Sequence, residues 1–67
     1  MMTVYFKNSR GHIVRHTLDV VAYYCDWRRA WVAYDANEEG EENALSGEGE
    51  TRSEAIENLI EAWENRQ

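Results

Sequence analysis

The chain has 67 residues and a formal net charge of −6, with seven Lys and Arg against thirteen Asp and Glu. That length confines it to one small domain, and that charge speaks against direct binding to nucleic acid, where phosphate neutralisation dominates affinity. Hydrophobic residues make up 43% and aromatics 12%, too apolar for a disordered chain, yet no apolar run approaches the roughly 20 residues that cross a bilayer.

The start, Met1-Met2-Thr3-Val4-Tyr5-Phe6-Lys7, lacks the charged opening and apolar stretch of a signal peptide. In it Val4 and Phe6 alternate with Thr3, Tyr5 and Lys7, the period of a strand with one buried face. Asn8-Ser9-Arg10-Gly11 has turn chemistry, with Gly11 able to take positive φ. His12 to Thr17 then reads as the returning strand of a hairpin. Leu18 to Cys25 and Ala30 to Asp35 form two more β-rich runs around a polar break at Asp26-Trp27-Arg28-Arg29. Both of these runs are apolar on both faces: Val20, Ala22 and Tyr24 oppose Val21 and Tyr23, and Val32 and Tyr34 oppose Trp31 and Ala33.

Residues 36–43 carry four Glu and read as a solvated loop. Ala44 to Glu50 reads as a short strand, whose Gly47 and Gly49 imply a bulge or an edge position. Thr51-Arg52-Ser53-Glu54 is a capping box, with the Thr51 hydroxyl taking the N–H of Glu54 and the Glu54 carboxylate reaching back to the N–H of Thr51. Ile56, Leu59, Ile60 and Trp63 then recur at helical spacing. A helix over about 52–65 is expected, with Arg66 at its negative pole. The expected class is α+β: an antiparallel β-meander of four to five short strands with one C-terminal amphipathic helix on one face. Residues 1–17 would be an N-terminal hairpin, 18–50 the meander and 51–66 the helix, all within a single domain.

No constellation for catalysis, a cofactor or a metal emerges. His12 and His16 read as two half-exposed surface histidines, and the single Cys25 as a small half-buried hydrophobe in a reducing, cytoplasmic setting. Around the polar break, Trp27 and Trp31 with Arg28 and Arg29 have two readings. A tryptophan beside a turn commonly anchors the loop on the core, and the same cluster can also stack on bases or bind a carboxylate-rich partner.

Charge is divided along the chain. Residues 1–34 hold five cations and two anions, whereas residues 35–67 hold two cations and eleven anions. On the helix, Glu54, Glu57, Glu61 and Glu64 form an acidic ladder with no lysine to answer it. It is either a solvated face or a surface shaped for a basic protein partner.

The segment Gly49-Glu50-Thr51-Arg52-Ser53-Glu54-Ala55-Ile56-Glu57-Asn58-Leu59-Ile60-Glu61-Ala62, with Trp31-Val32-Ala33-Tyr34-Asp35 ahead of it, resembles the HicB antitoxin family. In that family a strand ending in Gly-Asp/Glu-Thr opens a helix of Glu-Glu-Ala-Leu type. The likeness covers residues 18–64. The chain departs from the family pattern in having no proline after the central strand, an additional N-terminal hairpin, and no DNA-binding segment after the helix. The resemblance implies a solitary, non-catalytic HicB-like antitoxin domain that would neutralise a basic RNA-cleaving toxin. The alternatives are a small acidic inhibitor from a virus or mobile element, mimicking nucleic-acid charge to block a host defence enzyme, and an orphan domain. In either binding role Glu54, Glu57, Glu61 and Glu64 would steer the partner, together with Glu38, Glu39, Glu41 and Glu42. Trp31, on the sheet face opposite the helix, would anchor it. Two-faced strands in so short a chain also imply a homodimer.

Overall fold

The computed structural model describes residues 2–65, in the order β1 (Met2–Lys7), β2 (Ile13–Leu18), β3 (Val20–Cys25), β4 (Ala30–Asp35), β5 (Ser46–Gly49) and α1 (Arg52–Glu64). The protein is α+β: five short antiparallel strands followed by one helix packed against them. The strands form two sheets, a β1–β2 hairpin and a three-stranded sheet in the order β3-β4-β5.

The hairpin closes as its turn residues dictate. The Asn8 side-chain oxygen accepts from the N–H of Arg10 and of His12, and Gly11 sits at φ +79°, a region glycine enters without steric cost. Register sets Val4 opposite His16 and Phe6 opposite Val14. Alternation therefore gives the hairpin one inward face of Val4, Phe6, Val14, His16 and Leu18, with Val4 and Leu18 fully in the core.

In the second sheet Ala33 lies opposite Ala22 on one side and Gly47 on the other, and Trp31 lies opposite Tyr24 and Gly49. These small residues let the helix settle directly on the strands. A Cβ at Gly47 would overlap the backbone of Ala55 and Leu59, and one at Gly49 would overlap Glu54 and Ala55. The two glycines do occupy an edge strand. Their reason for being there is the close approach of a helix backbone.

The helix begins at Thr51, whose Oγ1 accepts from the Glu54 N–H at 3.1 Å. The reciprocal half of the capping box differs from expectation: the Glu54 carboxylate accepts from the N–H of Glu50 rather than of Thr51. Ala55, Ile56, Leu59 and Trp63 are buried, and Ile60 packs at the margin. Leu59 is fully enclosed, and burying a leucine of this kind contributes about 1.5–3 kcal/mol. A domain of this length holds only about 3–10 kcal/mol in all. The charge expected at the helix end from Arg66 lies outside the described residues.

Candidate functional site

The outer face of α1 is set by its inner one. Once Ile56, Leu59 and Trp63 point at the sheets, Glu54, Glu57, Glu61 and Glu64 must point away, and all four are exposed. From Glu54 to Glu64 the helix advances ten steps and carries this row across about 15 Å. Glu54 is partly committed to the helix start through its bond to Glu50. Among the described residues no cation pairs with Glu57, Glu61 or Glu64. Beyond β4 the chain turns through a short 3-10 helix, Ala36–Glu38, into the loop that leads to β5. Glu41 and Glu42 are exposed there beside Asn37 and Asn43, while Glu38 is half-buried and its Oε1 accepts from the N–H of Leu45. Glu38 thus helps to hold the loop, and Glu39, Glu41 and Glu42 are left to the solvent.

Trp31 is placed differently from expectation. It shares a strand face with Ala33, directly opposite Gly49, and packs against the core on the helix side. Its ring meets Tyr24 edge-on, with centroids 6.0 Å apart. The sheet face opposite the helix carries Val21, Tyr23, Val32 and Tyr34 instead. An anchor at Trp31 is therefore not on that open face.

Of the two readings of Trp27, the structure overturns the anchoring one. Trp27 does not anchor the turn between β3 and β4 on the core: its side chain is 93% exposed at the hairpin tip, beside exposed Arg28 and Arg29. Arg29 takes φ +52°, the left-handed region that non-glycine residues enter at a cost. Arg28 bonds the Glu48 carboxylate, and this hydrogen bond together with the carboxylate's charge raises its pKa further.

Sequence reasoning paired no acid with His16, yet the structure supplies one from 19 residues further on. Asp35 is fully buried, and its Oδ2 lies 3.1 Å from His16 Nε2. Its Oδ1 accepts from the backbone N–H of Asp19 and of Asn37, each at 3.1 Å. Burial pushes this carboxyl up, but the His16 bond, the two N–H bonds and the charge of His16 outweigh it, and the net shift is downward. His16 in turn lies flat on Trp63, with ring centroids 4.1 Å apart and planes 13° from parallel. Phe6 meets Trp63 at 5.9 Å. The group ties the hairpin, the β2–β3 junction, the end of β4 and the last turns of the helix into one contact. His12 lies apart in the exposed hairpin turn. Cys25 is half-buried at the far end of β3.

No three His, Cys, Asp or Glu side chains converge in a metal-holding arrangement among the described residues. No helix among them is long and apolar enough to cross a membrane. Comparison with family models, with curated proteins and with solved structures returns no match.

Proposed function

We propose that this chain is a non-catalytic protein-binding module that presents the acidic face of α1 to a basic protein partner. The observation that carries this reading is the row Glu57, Glu61 and Glu64, exposed on a helix whose opposite side is locked into the core and unpaired with any described cation. Adjacent carboxylates three and four apart repel one another by roughly 0.2–0.5 kcal/mol per pair. A cationic surface removes that repulsion on docking. Complementary charge of this kind raises the encounter rate and selects the partner. Glu39, Glu41 and Glu42 in the loop before β5 extend the same field.

Within that class, the role we propose is HicB-like: neutralisation of a small basic RNA-cleaving toxin. Its support is the order of β4, β5 and a Thr51-capped helix, together with the residues that resemble the family. The experiment is co-expression with the product of any small basic reading frame beside the gene. The expected result is that the neighbour alone arrests growth, that this chain restores it, and that the two co-purify. A neighbour that leaves growth untouched, or arrest that this chain does not relieve, overturns the antitoxin role. The wider reading rests on rate. Changing Glu57, Glu61 and Glu64 together to Gln slows association with a basic partner and flattens its salt dependence. Unchanged association kinetics would leave the row a solvated face.

A further inference from the structure

The molecule has two broad surfaces, and only one is covered. Helix α1 lies on the side of both sheets that holds Val4, Leu18, Ala33 and Gly47. By strand alternation the other side carries Val21 and Tyr23 from β3, with Val32 and Tyr34 from β4. Val32 is 6% exposed although it lies outside the main core cluster. Directly across from it stands Tyr23, whose ring is edge-on to Tyr34 at 6.2 Å and itself remains 47% exposed. On the hairpin, Tyr5 and Ile13 are exposed as well, on the side away from Val4 and Leu18.

We infer that this helix-free face is where two copies of the chain meet, back to back, with their helices outward. Charge selects the occupant. The same alternation places Lys7 and Arg15 on this face with Asp19, and Arg28 reaches Glu48 there. Cations and anions are therefore nearly balanced on it, whereas Glu54, Glu57 and Glu61 lie along the exposed side of the helix and Glu64, at its end, borders Tyr5, Phe6, Lys7 and Ile13. Two chains of net charge −6 repel in most approaches. This approach sets the acidic rows farthest apart and lets Lys7 and Arg15 of one copy meet the carboxylates of the other. A patch bearing both signs around an apolar centre is self-complementary, as a two-fold interface requires. Chains below about 70 residues commonly supplement their core by association. The patch around Val32 and Tyr23 lies on the other side of the sheet from α1, which carries the row proposed for the basic partner, so neither proposal depends on the other.

The test is sedimentation equilibrium of the full chain from micromolar to hundreds of micromolar. A reversible dimer is expected. Changing Tyr23→Glu raises its dissociation constant by about tenfold or more, while changing Glu57 and Glu61 to Gln does not weaken it. A wild-type monomer throughout that range overturns the inference. So does a dimer that the helix changes weaken and Tyr23→Glu leaves intact. If Tyr23→Glu does not melt cooperatively, concentration-dependent amide shifts of the wild-type chain decide. Shifts centred on residues 21–23 and 32–34 support the interface, and shifts centred on 54–64, or none, refute it.

Discussion

The two ends of α1 are held by opposite means. At its first turns the helix rests on Gly47 and Gly49, where the contact exists because two side chains are missing. At its last turns its own Trp63 rests on Phe6 and His16, where the contact is made of packed rings braced by a buried carboxylate. The glycine seam is steric and indifferent to pH. The ring contact is polar at its root, because Asp35 is enclosed and must have its partners. One helix thus joins two sheets that share no strand pairing. Each sheet contributes its own kind of joint.

The seam breaks most completely. Gly47→Val puts a better strand former into β5, so intrinsic preference alone would favour it. Sterics oppose it, because the obstacle is the backbone of Ala55 and Leu59, which cannot rotate away. The expected outcome is loss of the cooperative thermal transition, followed by circular dichroism. A variant that melts near the wild-type temperature would show that the helix can lift off β5 at little cost.

The polar joint is next in size. Asp35→Ala strands the backbone donors of Asp19 and Asn37 and removes the partner of His16, and each buried donor left unsatisfied costs about 1–3 kcal/mol. Asp35→Asn should cost much less. Its oxygen can keep both backbone N–H groups, and its amide can donate to His16 Nε2 in the appropriate tautomer. Urea titration of both variants checks the order.

The same pair of variants sharpens the contrast in pH. The Asp35 pKa is lowered in the folded state. Its contribution to stability is therefore fully present above the unfolded carboxylate range, near about 3.9, and is lost as pH falls through the folded value. The difference in stability between wild type and Asp35→Asn should shrink as pH drops below that range. Gly47→Ala, in contrast, should lower stability by the same amount at pH 7 and at pH 3. A difference between wild type and Asp35→Asn that is flat across acid pH would remove the carboxylate from the account.

What could be read in the sequence follows from how local each signal is. The helix was legible because Thr51, Glu54 and the stripe Ile56, Leu59, Ile60 and Trp63 all lie within one element. The hairpin was legible because Asn8 and Gly11 sit where its turn requires them. Gly47 and Gly49 gave a true signal, two glycines on one strand face, but their purpose depends on a helix that has not yet formed at that point in the chain. The placement of Trp31 failed for the same reason. Its parity with Ala33 was visible, but which face the helix takes is fixed by the pairing of β4 with β5. His16 and Asp35 belong to strands in different sheets, and no spacing rule links them. Nothing local distinguishes a tryptophan that tucks under a turn from one that stands off it, so Trp27 was legible only as a choice between two readings.

On the candidate face, replacing Glu57, Glu61 and Glu64 with Gln should stabilise the helix slightly. The change relieves the pairs 54–57, 57–61 and 61–64, each worth roughly 0.2–0.5 kcal/mol and screened by salt. The gain should therefore be largest at low ionic strength and fade as salt is added.

The smallest effect on stability belongs to the most conspicuous side chain. Trp27 is 93% exposed, so Trp27→Ala removes almost no buried area and should change stability by less than about 0.5 kcal/mol. Trp63→Ala would instead empty the space between Phe6, His16 and the helix, at about 3–5 kcal/mol. The two substitutions delete the same side chain from the same small domain, so the gap between them isolates what burial contributes. If Trp27→Ala destabilised the fold as much as Trp63→Ala, the hairpin tip would be packed in solution. A near-silent Trp27→Ala leaves the indole, with Arg28 and Arg29 beside it, as surface that the fold does not need.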